Sequence, residues 1–114
     1  QDLIQAKSAV IDKDLEKLGV LMEHSTFKMH ACMWASQPPL RYIKGSSIMV
    51  LDEVSYLRSK GTSAWATMDA GPHVKILCHT ADAETVKKHI ESIPDVHEVL
   101  ILKPGAGVSM NRQY

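Results

Sequence analysis

The sequence predicts an α+β domain, a small, mostly antiparallel sheet covered on one side by helices. Three observations lead there. Apolar residues recur at helical spacing through the first half of the chain. Two short stretches alternate with period two on either side of an Ala-Gly-Pro turn. A second helical stripe and a final apolar run follow. The order helix, helix, strand, strand, helix, strand is that of helices segregated to one face of a sheet. The 114 residues correspond to one domain, and at 45% hydrophobic they suffice for a two-layer core.

The first helical rhythm spans residues 2–11 and is weakly interrupted at Asp12–Lys13. Ile11, Leu15, Leu18 and Met22 then form one stripe that extends through Phe27, Met29 and His30 to Met33 or Trp34. Lys13, Asp14, Glu16 and Lys17 take the opposite, solvated face. Ser36-Gln37-Pro38-Pro39 stops the helix, because proline disfavours a helical residue before it and has no amide to donate. A second helix runs from about Tyr42 to Lys60, with Val50, Val54 and Leu57 inward and Gly61 as its stop.

Strands are expected over Ser63–Asp69 and Val74–Thr80. Trp65, Thr67 and Asp69 share a face of the first; Val74, Ile76 and Cys78 share a face of the second. The turn between them makes a short antiparallel hairpin. Thr80 or Asp82 is placed to cap the next helix, whose stripe is Val86, Ile90 and Ile93 and which Pro94-Asp95 ends. Val96 to Lys103 reads as a last strand, and the chain beyond Val108 as a frayed tail.

Composition narrows the function. Thirteen basic residues balance thirteen acidic ones, so no electrostatic footprint for nucleic acid or an anionic membrane exists. No apolar run is long enough to span a bilayer, and the start QDLIQAKSAV lacks the pattern of a signal peptide. Cys32 and Cys78 read as buried free thiols of a reducing compartment. His24, His30 and Cys32 do not stand at a recognised metal-ligand spacing, and no metal is expected.

The stretch TMDAGPHVKIL, Thr67 to Leu77, carries the strongest candidate site. Asp69 can be an ordinary turn carboxylate accepting local N–H groups. It can also be a carboxylate held on a stiff frame, since Gly71 permits positive φ and Pro72 rigidifies the turn. Ser36 and Gln37 offer a hydroxyl and an amide on a rigid loop, or merely end a helix. His30 reads as a half-buried, hydrogen-bonded histidine. Gly105-Ala106-Gly107 lacks the lysine and following helix of a phosphate loop.

TMDAGPHVKIL closely resembles the Tyr/Phe-Thr-Met/Phe-Asp-Ala-Gly-Pro-Asn segment of mevalonate diphosphate decarboxylases. KMHACMWASQPPLRY resembles the same family's Met/Phe-His-Ala segment with its Pro-Pro-x-x-Tyr stretch, and LILKPGAGV its Gly-rich last strand. The resemblance covers about residues 2–108. It places the chain in the group of galactokinase, homoserine kinase, mevalonate kinase and phosphomevalonate kinase folds, as the ferredoxin-like C-terminal domain alone. The family's Pro-x-x-x-Gly-Leu-x-Ser-Ser nucleotide loop, and its serine and arginine substrate contacts, do not occur here.

The resemblance implies an ATP- and Mg²⁺-dependent lyase of isoprenoid and sterol biosynthesis, cytoplasmic and homodimeric. It phosphorylates the tertiary hydroxyl of mevalonate 5-diphosphate, then loses phosphate and CO₂ to give isopentenyl diphosphate. Asp69 matches the aspartate beside that hydroxyl. Ser36, Gln37, Ala70 and Gly71 are the expected substrate contacts, and His30 and Pro72 the supports. Without the N-terminal ATP-binding domain the chain is expected to be inactive. His73 in place of asparagine, Gln37 in place of threonine or phenylalanine, and Trp34 and Trp65 depart from the pattern. They leave open a phosphomevalonate decarboxylase or a mevalonate 3-kinase. A non-catalytic small-molecule-binding or dimerisation domain is the alternative of another class.

Overall fold

The computed structural model describes residues 1–110; of the expected tail, residues 111–114 lie outside the described part. Helix α1 spans Asp2–Ile11 and α2 spans Leu15–Ala35. Between them Lys13 takes φ 55°, and Asp14 caps α2 by accepting the Lys17 N–H at 2.9 Å. The helix α3, Gly45–Ser59, begins later than its apolar pattern suggests. After the two prolines the chain stays irregular until the Ser47 hydroxyl accepts the Lys44 N–H at 3.1 Å and closes the first turn. Gly61 at φ 93° stops α3 as expected, with Thr62 N–H returning to Leu57 C=O at 3.0 Å.

Strands β1, Ala64–Thr67, and β2, Lys75–Cys78, form the antiparallel hairpin in the register Ala64↔Cys78 to Thr67↔Lys75. Both are shorter than expected, because pairing stops where the turn opens. A 3₁₀ turn at Thr80–Asp82 leads into α4, Ala83–Glu91, and neither Thr80 nor Asp82 makes a side-chain cap bond.

The core lies between one face of this hairpin and α3 with α4. Val50, Val54, Leu57, Ala64, Ala66, Val86, Ile90 and Ile93 form a single buried cluster, with Val74, Ile76 and Cys78 packed at its margin. The predicted stripes of α3 and α4 are found there, and Val74, Ile76 and Cys78, expected to share a face, all lie against it. Burying each Val, Leu or Ile of the cluster stabilises the fold by about 1.5–3 kcal/mol.

The α+β class with a small antiparallel sheet is what the structure has, and three details differ. Helices cover both faces of β1, since α2 packs on the Trp65 and Thr67 side, opposite the core cluster. Residues 96–103 form no strand: Val96 and Val99 touch the core, but no backbone hydrogen bond joins residues 97–103 to another described residue. A strand needs a neighbouring row of N–H and C=O groups, and apolar alternation alone does not supply one. Leu100 and Leu102 stand exposed. Finally, Cys32 is an exposed free thiol rather than a buried one, and only Cys78 is partly covered. No helix is long and apolar enough to cross a membrane among the described residues.

Candidate active site

Helix α2 faces β1 with residues that an apolar search passes over. Its buried positions are Gly19, Thr26 and His30, whereas Phe27 and Met29 are 43% and 39% exposed. Gly19 is there because the Trp65 indole lies against the helix backbone: even the Cγ of that ring would be only 2.5 Å from an added Cβ. No local pattern announces this contact.

The edge of β1 away from β2 would present unpaired backbone groups. Side chains satisfy them. Arg58 Nη1 donates to Ala64 C=O at 2.6 Å, and Glu23 Oε2 accepts the Ala66 N–H at 2.9 Å. Arg58 and Glu23 also bind each other through two contacts of 2.8 and 3.1 Å, both largely buried, and Arg58 lies over Trp65 at 5.9 Å. The Thr26 and Thr67 hydroxyls meet at 2.8 Å. His30 is 2% exposed and its Nε2 stands 3.1 Å from Met68 C=O. A carbonyl only accepts, so Nε2 carries the proton; Nδ1 is buried without a hydrogen-bond partner among the described residues.

The chain leaves this clamp at Met68, 1% exposed, and delivers Asp69 to the surface. The Asp69 carboxylate accepts from Lys75 Nζ at 2.8 Å across the hairpin. Hydrogen bonding to Lys75, then the ammonium charge, holds the Asp69 carboxyl below the usual aspartate range. It is therefore ionised at neutral pH and 77% of its side chain is open to whatever approaches. Gly71 adopts φ 152° with free space around it, so its need for glycine is conformational. Ala70, Pro72 and His73 are exposed on the same turn. A cleft of about 180 Å³ lies between this turn and α2, bordered by Met22, Ser25, Thr26, Met29, Thr67 and Asp69.

The loop after α2 stands apart. Ser36 Oγ lies 2.7 Å from Met33 C=O and 2.9 Å from Pro38 C=O, so its single proton is used within the loop. Gln37 is exposed, and its peptide to Pro38 is cis. No hydrogen bond joins Ser36 or Gln37 to Asp69 among the described residues. The structure thus brings His30 to the residue before Asp69 and leaves the Ser36–Gln37 loop to itself. Lys75, Thr26, Glu23 and Arg58 were not singled out by the sequence. Lys75 had a signal, since the hairpin register sets it opposite Thr67, two residues from Asp69. Among the described residues no group of three or more His, Cys, Asp or Glu side chains stands together to hold a metal ion.

Known proteins share this fold. The mevalonate diphosphate decarboxylase of Staphylococcus aureus is 36% identical with a TM-score of 0.79, over 83% of this chain and 29% of that one. The structure of MDDEF in complex with MVAPP, AMPPCP and magnesium is 33% identical with a TM-score of 0.77, over 82% of this chain and 29% of that one. The diphosphomevalonate decarboxylase of Candida albicans is 29% identical over 92 residues, 77% of this chain and 25% of that protein. The chain thus spans under a third of the length of these relatives. The family described as the mevalonate 5-diphosphate decarboxylase C-terminal domain matches residues 1–103, and the chain belongs to that family.

Proposed function

We propose that this chain, over residues 1–108, is the substrate-site-bearing C-terminal domain of an ATP-dependent decarboxylase that converts mevalonate 5-diphosphate to isopentenyl diphosphate, ADP, phosphate and CO₂. The observation that carries this reading is Asp69, an ionised and exposed carboxylate on a clamped strand end, in an Asp-Ala-Gly-Pro turn that resembles the family's. Such a group can orient the tertiary hydroxyl of the substrate and take its proton as the oxygen is phosphorylated. A fixed carboxylate loses little entropy in doing so. It also stabilises the positive charge that grows as the tertiary C–O bond breaks.

Around it, the Ala70 and Gly71 backbone would contact the substrate while Pro72 stiffens the turn and His30 braces Met68. Ser36 and Gln37 would add contacts from the α2–α3 loop. The related complex holds magnesium and a nucleotide analogue. Among the described residues no cluster of three or more His, Cys, Asp or Glu side chains stands ready for a metal ion, and in this reading an N-terminal ATP-binding domain of the same protein binds Mg²⁺ and ATP. A cytoplasmic homodimer serving isoprenoid and sterol biosynthesis accords with this reading. The exposed apolar residues Leu3, Ile4, Val10 and Ile11 of α1 support a surface covered by association.

The test is Asp69→Asn in the full-length enzyme. Asparagine keeps the shape and the local acceptor but not the charge. The expected outcome is an unchanged melting temperature and substrate affinity with kcat reduced by roughly 10²–10⁴. Near-normal kcat would remove Asp69 from the chemistry and reduce it to a turn former.

A further inference from the structure

We propose that Thr26 is a positioning residue for Asp69. The proposal rests on the reading of Asp69 as the catalytic carboxylate. Glu23, Thr26 and His30 stand at i, i+3 and i+7 on one face of α2. They bind three successive residues of the strand that delivers Asp69: the Ala66 N–H, the Thr67 hydroxyl and the Met68 C=O. The helix meets the strand one residue at a time, and the last contact is one residue short of Asp69.

The protons at Thr26 give the middle contact a direction. Its single hydroxyl proton goes to the Met22 C=O, 3.0 Å away. In the 2.8 Å contact with Thr67, Thr67 therefore donates and Thr26 accepts. A bond order runs from the backbone of α2 through Thr26 to Thr67, and it fixes the side chain of Thr67. Asp69 follows two residues after Thr67, the last residue of β1. Both border the cleft beside α2. The two outer contacts have stabilising duties of their own, since Glu23 neutralises Arg58 and His30 satisfies a buried carbonyl. The Thr26–Thr67 bond differs. Water at the open side of Thr67 would satisfy that hydroxyl equally well, so what the 94% burial of Thr26 adds is orientation.

The experiment uses the full-length enzyme with mevalonate 5-diphosphate, ATP and Mg²⁺. Thr26→Val keeps the volume and removes the acceptor; Thr26→Ser keeps the acceptor. With Thr26→Val, kcat is expected to fall about 10- to 100-fold while KM changes little, the scale of an approximately 1 Å misplacement. Thr26→Ser is expected to restore most of it. In an Asp69→Asn background Thr26→Val should cost no further rate, because the group being positioned is already gone. Wild-type kcat in Thr26→Val beside an inactive Asp69→Asn overturns the positioning role and leaves Asp69 standing. So does a full additional loss in the Asp69→Asn background. An active Asp69→Asn overturns both readings. Should Thr26→Val fail to fold, Thr67→Val removes the same bond from its half-buried end and carries the same expectations.

Discussion

Replacing Gly19 by alanine separates helix propensity from packing. In an open helix the change stabilises by about 1 kcal/mol, because glycine carries the larger entropy loss on folding. Here the new methyl group falls inside the Trp65 indole, whose Cγ would be 2.5 Å away against the 3.4–4 Å of ordinary contact. The ring cannot step aside easily. It is 5% exposed, Arg58 lies 5.9 Å from its centre, and its backbone is paired with Leu77. Helix α2 and strand β1 must then part by about 1 Å, and overpacking of this kind costs about 1–3 kcal/mol. Overlap with three ring atoms puts the site at the upper end. After the propensity gain, a net loss of about 1–2 kcal/mol remains. In a full-length protein of the relatives' size, roughly three times this chain, that is a fall in Tm on the order of 1–3 °C. Thermal unfolding of the full-length protein measures it, and Trp65→Leu in combination should recover part of the loss. A double-mutant cycle then gives a coupling of at least about 0.5 kcal/mol. A higher Tm in Gly19→Ala, or zero coupling to position 65, refutes the tight contact between helix and ring.

Removing the partner of Asp69 by Lys75→Met should let its carboxyl rise toward the ordinary aspartate range, so the acid-side decline of kcat/KM moves to higher pH; a pH–rate profile checks the direction. Glu23→Ala leaves Arg58 and the Ala66 N–H without their partner and should destabilise by about 2–4 kcal/mol, read from denaturant unfolding. The 114-residue chain alone, given ATP, Mg²⁺ and mevalonate 5-diphosphate, should release no CO₂; turnover at ordinary enzyme rates would end the view that the nucleotide site lies elsewhere. In sedimentation the same chain should self-associate through its exposed apolar residues, and Leu3→Ser with Ile4→Ser should reduce this; a strict monomer at every concentration would count against it.

Features that depend on near neighbours along the chain are legible in the residues alone. Val50, Val54 and Leu57, and again Val86, Ile90 and Ile93, are spaced so that any helix through them has an apolar face, and that face is the core. Gly61 and the Ala-Gly-Pro turn act through local backbone conformation, so the helix stop and the hairpin follow without tertiary information. The turn also singled out Asp69. Tertiary structure decided what required a distant partner. Glu23 and Thr26 look like surface residues on a helix, and the half-buried His30 has no identifiable partner, until Ala66, Thr67 and Met68 arrive from some forty positions away to accept or donate their bonds. Gly19 reads as a poor helix former until Trp65 fills its space. The run from Val96 to Lys103 has the alternation of a strand, yet a strand exists only where another backbone pairs with it. Periodicity reports how a segment would bury apolar area. Buried polar contacts and strand pairing are two-body relations, and only the folded chain brings the second body into place.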